Sequence, residues 1–263
     1  MSVALALAAL LAGADPCAGT RDLKAAAEAI DKGELARADH LSALALALAP
    51  DCPDALVVQG RVLSLKGRPR AAREALEKAV RLAPANVEAR YQLGIWLYRA
   101  LLHPEAVRQF EKVVALRPRD TRAHDYLALN LEALGEAERA ERSYRRALEA
   151  NRGPFPDPFF DYYYGRFLLK QNRLEESRAH LDRAVSLHPD ERTVHYERGK
   201  VNLALKDYAA ARRDAERALS LRDPAGLVAD VQVYYLLATV YARLGETDLA
   251  RKYAELTRIT PIK

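Results

Sequence analysis

Prolines recur at a fixed interval in the first half of the chain, and this interval limits the fold more than any other feature. Pro50, Pro84 and Pro118 are each separated from the next by 34 residues, and each ends an Ala- and Leu-rich block. Proline cannot continue a helix, so every block has a defined end. A period of roughly 20 to 50 residues is typical of proteins that repeat one small structural unit.

The blocks share an internal pattern of small residues. In the second block Gly60 and Gly67 precede Pro84, and glycine or alanine fills most of the matching places elsewhere. The stretches 55–66 and 69–82 are both amphipathic with helical periodicity, and Gly67 between them can end the first helix in a left-handed conformation. The pattern predicts an all-α fold built from helical hairpins.

The blocks resemble the tetratricopeptide repeat, a helix–turn–helix unit of 34 residues, over about residues 19–262. The resemblance implies a right-handed superhelical solenoid of about seven hairpins, with a concave groove that binds partners. Because one hairpin cannot bury its apolar face alone, we expect the hairpins to stack as a single solenoid over residues 15–263. The predicted hairpins span residues 19–52, 53–86, 87–120, 121–154, 158–191, 192–225 and 231–263.

Three segments depart from the repeat. Residues 151–158 contain three prolines and one glycine, which predicts a turn in place of a helix, and residues 222–226 lengthen a later junction. In the third block, residues 101–104 replace the turn glycine. Pro104 is well placed there for the first turn of the following helix.

The N-terminal segment, residues 1–14, is a run of small and apolar residues that ends in Ala12, Gly13 and Ala14. Such a run is typical of a secretory signal peptide with its small-residue cleavage site, although the usual basic start is missing. Secretion would make the protein periplasmic or extracellular. The alternative is a capping helix on a cytoplasmic protein. No apolar run reaches 18 residues, so the sequence predicts no membrane-spanning helix.

The chain has two cysteines, Cys17 and Cys52, which lie 35 residues apart, just before the first helices of blocks one and two. Neighbouring hairpins place these points side by side, so a disulfide could clamp the N-terminal hairpin in an oxidising compartment. The alternative is two separate thiols, because helices in adjacent hairpins are often about 9 Å apart.

The sequence lacks the motifs of the common enzyme classes. It contains no phosphate-binding glycine loop, no His-Glu-x-x-His helix, no nucleophile elbow and no paired Cys-x-x-Cys. Its six histidines are scattered over five blocks, whereas metal ligands must converge on one ion. We therefore expect a non-enzymatic protein with no catalytic residues, no metal and no cofactor.

The charge distribution bears on the class of partner. Lysine and arginine number 41 against 36 aspartate and glutamate, and the net charge of +5 is spread along the chain without a basic block. This distribution does not favour nucleic acid. We expect a protein or peptide partner and no small-molecule substrate.

Tyrosines and basic residues share one face of the first helices in the later blocks. Tyr162, Arg166 and Lys170 lie four residues apart in block five, and equivalent faces follow in blocks six and seven. These faces present three tyrosines and four cations without an acid, which suits an extended peptide with acidic and apolar groups. The alternative is that the tyrosines only fill space between successive helices. The predicted groove residues are Tyr91, Tyr98, Arg99, Phe159, Tyr162, Arg166, Lys170, Tyr196, Lys200, Tyr235 and Arg243.

The predicted function is a scaffold that binds an extended segment of another protein in its groove. An Ala-, Leu- and Arg-rich composition is typical of a bacterial source, and in the periplasm the scaffold would suit assembly of an envelope or secretion complex. The alternatives are a cytoplasmic adaptor and the regulatory subunit of an enzyme complex.

Overall fold

The structure is a computed structural model that describes Cys17 and residues 23–151, 159–223 and 226–260. Every regular element within these ranges is an α-helix, and the helices form seven hairpins, so the predicted all-α repeat fold is confirmed. The predicted signal peptide, residues 1–14, lies outside the described residues. The chain divides into two compact units, residues 1–150 and 151–263. The single solenoid over residues 15–263 stays a prediction.

Unit 1 contains four described hairpins, whose consecutive helices pack against one another. The first helices of neighbouring hairpins also contact each other, and they form what we call the first-helix face of the unit. The hairpins are α1 (Leu23–Asp31) with α2 (Leu35–Leu48), α3 (Pro53–Leu65) with α4 (Pro69–Leu82), α5 (Val87–Arg99) with α6 (His103–Leu116), and α7 (Thr121–Ala133) with α8 (Ala137–Ala150).

Unit 2 contains three described hairpins with the same arrangement, and its own first-helix face is formed by α9, α11 and α13. The core between α12 and α13 is built from small and branched side chains that are buried, together with the buried ring of Tyr241. The hairpins are α9 (Phe160–Lys170) with α10 (Leu174–Leu187), α11 (Arg192–Ala204) with α12 (Tyr208–Ser220), and α13 (Asp230–Leu244) with α14 (Thr247–Ile259).

Gly60 and Gly94 show why small residues recur on first helices, because each is a point of close approach within its hairpin. A β-carbon on Gly60 would lie 2.6 Å from Leu76 Cγ, and one on Gly94 would lie 2.7 Å from Phe110 Cζ. Leu76 and Phe110 are both fully buried. The large residue on the second helix therefore fills the space that the glycine leaves.

The turns inside the hairpins need a residue with positive φ. Gly67 has φ of 68° and Gly245 has φ of 79°, as the sequence pattern predicts. Three hairpins use a residue with a side chain instead, namely Leu101 (58°), Asn172 (57°) and Lys206 (63°). The helical hairpin geometry is thus retained where glycine is missing, although left-handed backbone is less favourable for residues with a β-carbon.

A disulfide joins Cys17 to Cys52, with 4.7 Å between the two Cα atoms. Cys52 is fully buried and precedes α3, where its Sγ accepts a hydrogen bond of 3.4 Å from the backbone N–H of Ala55. The bridge therefore attaches Cys17, which lies ahead of the first hairpin, to the start of the second hairpin.

Candidate partner-binding site

Four of the predicted groove residues of unit 2 form pairs of an aromatic ring and a cation on its first helices, one pair on α9 and one on α11. On α9 the guanidinium of Arg166 is 5.8 Å from the ring centroid of Tyr162. On α11 the Nζ of Lys200 is 5.3 Å from the ring centroid of Tyr196. Both pairs have a spacing of four residues, which puts the two side chains on the same side of the helix.

The face of α11 also carries an acid, which corrects the expectation of a stripe without carboxylates. Lys200 Nζ lies 2.8 Å from the carboxylate of Glu197, a residue that is itself buried. Burial and the neighbouring charge of Glu197 both raise the pKa of Tyr196, so its hydroxyl stays protonated and can donate a hydrogen bond. Glu197 lies one position beside the stripe offsets, so those offsets alone do not reveal this acid.

The third helix of this face, α13, presents an accessible tyrosine. Tyr235 is 68% exposed, and Arg243 is exposed near the end of the same helix. The neighbouring Tyr241 is instead buried, its ring stacks on Tyr253 at 5.6 Å, and its hydroxyl donates to a carboxylate oxygen of Glu216 at 2.6 Å. Tyr241 therefore belongs to the core of the unit, whereas Tyr235 lies on its surface.

Lys170 ends α9 and is exposed, whereas Phe159 is half-buried. Phe159 lies directly before α9, and its ring is stacked on the ring of His188 with 4.4 Å between centroids. His188 follows the last residue of α10. The structure thus places Phe159 against the end of the second helix.

The predicted tyrosines of unit 1 are part of an aromatic cluster between α5, α6 and α7. Tyr91 contacts Phe110 at 5.8 Å and Tyr126 at 5.9 Å, and Tyr98 contacts Tyr126 at 5.5 Å between ring centroids. Phe110 and Tyr126 are stacked at 5.3 Å. For Tyr91 and Tyr98 this packing matches the alternative interpretation, in which tyrosines fill space between successive helices.

Arg99, the third predicted groove residue of unit 1, lines a cavity of about 520 Å³. The cavity lies between α3 and α5, and residues of α1 and α4 complete its wall. Trp96, which is not among the predicted groove residues, lines the same cavity, and Arg73 Cζ lies 5.6 Å from the centroid of its ring. The lining residues are Ile30, Arg61, Ser64, Leu65, Pro69, Leu76, Gln92, Ile95, Trp96, Arg99 and Ala100.

A cluster around the buried Asp214 joins the two helices of one hairpin in unit 2. Asp214 on α12 accepts hydrogen bonds from Arg198 Nε at 3.0 Å and Asn202 Nδ2 at 2.9 Å, and His195 Nδ1 lies 3.3 Å from it. Burial alone would raise the pKa of the Asp214 carboxyl, but its bonds with His195 and Arg198 outweigh burial and lower it. The carboxylate is therefore ionised and fully engaged in packing.

Two classes of feature are missing from the parts of the chain that the structure describes. No group of three or more histidine, cysteine, aspartate or glutamate side chains is arranged to hold a metal ion within residues 23–151, 159–223 and 226–260. Over the same described residues, no helix combines the length and the apolar character that crossing a bilayer requires.

Comparison with protein families identifies the repeat. The family model described as "Tetratricopeptide repeat" matches five overlapping segments, namely residues 58–121, 91–155, 126–192, 165–226 and 196–261. No curated protein matches the chain.

Solved structures that are similar to the chain include the following three. A tetratricopeptide repeat protein from Parabacteroides merdae is 15% identical with a TM-score of 0.66, covering 93% of this chain and 94% of that one. PilW, a type IV pilus biogenesis factor, is 16% identical with a TM-score of 0.69, covering 80% and 94%. YrrB, a repeat protein with an unusual peptide-binding site, is 18% identical with a TM-score of 0.54, covering 68% and 91%. At these identities the similarity shows the fold alone.

Proposed function

Because the chain belongs to the tetratricopeptide repeat family, whose fold implies protein partners, we propose that it is a non-enzymatic scaffold that binds an extended peptide segment of another protein. The binding site is the first-helix face of unit 2. The observation that carries the proposal is the repeated pair of tyrosine and cation on α9 and α11, continued by an exposed tyrosine on α13.

The chemistry of this face favours a peptide with both apolar and acidic side chains. A tyrosine ring packs against apolar groups at a small cost in conformational entropy, and its hydroxyl donates to carbonyl or carboxylate oxygens. Arg166, Lys170 and Arg243 add positive charge beside the rings. Lys200 forms an ion pair with Glu197, so its charge is less available to a ligand. We therefore expect α11 to contribute to peptide binding more through Tyr196 than through Lys200.

We also propose that the protein is located in the bacterial periplasm or outside the cell. Its role there is in the assembly of an envelope or secretion complex. The disulfide between Cys17 and Cys52 supports this location, because disulfides persist in oxidising compartments. The similar fold of PilW, a pilus biogenesis factor, is compatible with it. The alternatives are a cytoplasmic adaptor and a regulatory subunit of an enzyme complex.

The binding site is tested by cross-linked capture from the native cell. We expect the dominant partner to be lost from a variant that carries Tyr162→Ala, Tyr196→Ala and Tyr235→Ala, because these substitutions remove the apolar surface of the face. A variant with Tyr208→Ala on α12, a second helix, serves as the control and is expected to retain the partner. Equal capture by both variants, at equal helicity in circular dichroism, would show that the tyrosines are packing residues only.

The cellular location is tested on protein that is isolated from its native cell in the presence of a reagent that alkylates free thiols. A secreted protein is expected to have a mature N-terminus at Asp15 and no thiol that reacts after unfolding. An N-terminus at Met1 or Ser2 together with two reactive thiols would instead establish the cytoplasmic adaptor. N-terminal sequencing and the mass added by the alkylating reagent give the two readouts.

A further inference from the structure

Two hairpins contain an equivalent histidine, but its ring meets a carboxylate in only one of them. On α11, His195 Nε2 lies 2.9 Å from the carbonyl oxygen of Pro189, and on α7, His124 Nε2 lies 3.0 Å from that of Pro118. Since the same ring N–H donates to the same turn, Nδ1 faces the second helix in both hairpins. His195 Nδ1 lies 3.3 Å from Asp214 on α12. His124 Nδ1 is buried and has no hydrogen-bond partner among the residues that the structure describes.

The missing partner is explained by the residue on the second helix. Asp214 follows His195 by 19 residues. The residue at the same separation from His124 is Ser143, which is shorter, and its hydroxyl donates to the backbone carbonyl of Arg139 on its own helix α8. A cavity of about 190 Å³, lined by both His124 and Ser143, lies at this place in unit 1. The carboxylate of the unit 2 hairpin therefore has an open cavity as its counterpart.

One wall of the cavity is apolar. It consists of Leu127 and Leu131 of α7, which are both buried. They stand at the places that Arg198 and Asn202 occupy on α11, where the two polar side chains bind Asp214. Leucines at these places can pack against an alkyl group but cannot bind a charge.

Arginines of α8 give the cavity its positive charge. Arg139 is paired at 2.8 Å with Glu111 of α6, which also lines the cavity, and Arg146 is paired at 3.0 Å with Glu149. Arg142 lines the cavity too, is exposed, and makes no hydrogen bond or ion pair with the residues that the structure describes. Arg142 is therefore the cation that is available to a bound anion.

We propose that this cavity binds a small organic monocarboxylate, whose carboxylate is held by His124 and Arg142 and whose alkyl group packs on the two leucines. The bound carboxylate takes the position relative to His124 that Asp214 takes relative to His195. The cavity is smaller than the range of roughly 300–1,000 Å³ that is usual for drug-sized ligands, so it suits a short alkyl chain. This site lies within one hairpin of unit 1 and does not depend on the tyrosines of unit 2.

Binding is expected to bring a proton to the histidine. In the free protein burial lowers the pKa of His124, and the charge of Arg146 acts in the same direction. The bond to Pro118 and the charges of Asp120 and Glu149 oppose this effect without outweighing it. The ring is thus neutral at neutral pH, with its one proton on Nε2. A carboxylate beside Nδ1 favours the doubly protonated ring, in which both nitrogens donate.

The test follows the ring nitrogens of His124 by NMR, on the full chain with isotope-labelled histidine at neutral pH and constant ionic strength. The probe is sodium butyrate, and the His124→Gln variant identifies the signal by its loss. We expect Nδ1 to shift saturably towards the protonated ring, with half-saturation below about 10 mM. Butyramide, which has the same shape without the charge, should bind about tenfold more weakly.

Matched variants assign the signal to the cavity. Arg142→Gln should weaken butyrate binding about tenfold, since it removes a charge-assisted hydrogen bond. Arg145→Gln, on the same helix and exposed but outside the cavity lining, should leave binding unchanged. Ser143→Asp places a carboxylate at the position that corresponds to Asp214. It should protonate Nδ1 of His124 without any ligand and remove the response to butyrate.

Three results would overturn the proposal. The first is the absence of a saturable shift of His124 up to about 50 mM butyrate. The second is an equal response to butyrate and butyramide, or an equal response of the natural protein and its Arg142→Gln or Ser143→Asp variant at equal helicity. The third is a response to inorganic phosphate that is as strong as the response to butyrate, because phosphate has no alkyl group for the leucines.

Discussion

Replacing Asp214 by alanine is expected to lower the free energy of unfolding of unit 2 by about 3–5 kcal/mol. Asp214 is 3% exposed, and its carboxylate is the common partner of His195, Arg198 and Asn202. Removing it leaves a partly buried guanidinium without its main counter-charge and leaves an amide donor in the core without its acceptor. Urea denaturation followed by circular dichroism measures the loss.

The matched control is Asp182→Ala. Asp182 also bonds to Arg198, at 3.0 Å, but its side chain is 55% exposed, so we expect its loss to cost less than about 1 kcal/mol. If the two variants were equally destabilised, the buried position of Asp214 would not be the reason for its contribution, and the network would be an ordinary surface ion pair.

The same carboxylate gives the expected dependence on pH. Its pKa in the folded protein is lowered below the ordinary value of 3.8, because hydrogen bonds with His195 and Arg198 outweigh the effect of burial. The folded state therefore binds the proton less well than the unfolded state, so this stabilisation is complete above the ordinary pKa. It is lost as the pH falls through the folded pKa. In that window the Asp214→Ala variant should lose less stability than the natural protein.

The repeated hairpins could be predicted because their signal is local and recurs in every block. Predicted stretches 55–66 and 69–82 correspond to α3 (Pro53–Leu65) and α4 (Pro69–Leu82), and proline begins both helices. Helical periodicity and proline act within one or two turns of the chain, so the sequence alone reveals them. Left-handed turns were predictable only where glycine occupies them. A positive φ at Lys206 is imposed by the packing of the two helices rather than by its own preference.

The candidate site was predicted less completely, because a helical offset gives the face of a residue but not its neighbours. Tyr91 and Tyr162 occupy equivalent offsets, yet Tyr91 meets Phe110 and Tyr126 while the Tyr162 ring lies beside the cation of Arg166. The aromatic residues on adjacent helices decide between these outcomes. Trp96 was missed for a related reason, since the cavity that it lines exists only once several helices have packed.

The largest expected effect in unit 1 comes from its disulfide. Replacing both Cys17 and Cys52 by serine should lower the free energy of unfolding by about 3–4 kcal/mol, the chain-entropy value for a loop closed over 35 residues. The bridge lies in unit 1, so the loss should appear in the unfolding of that unit. Urea denaturation that monitors Trp96, which also lies in unit 1, measures it.

Serine is the appropriate substitution because position 52 also caps a helix. Sγ of Cys52 accepts a hydrogen bond from the N–H of Ala55, and a serine hydroxyl can accept the same bond, so the cap of α3 is kept. Reduction of the natural protein should then cost the same free energy as the double substitution, and the double variant should not respond to the reductant. A reduced protein as stable as the oxidised one would mean that packing around Cys52 already fixes this end of the hairpin without the covalent bond.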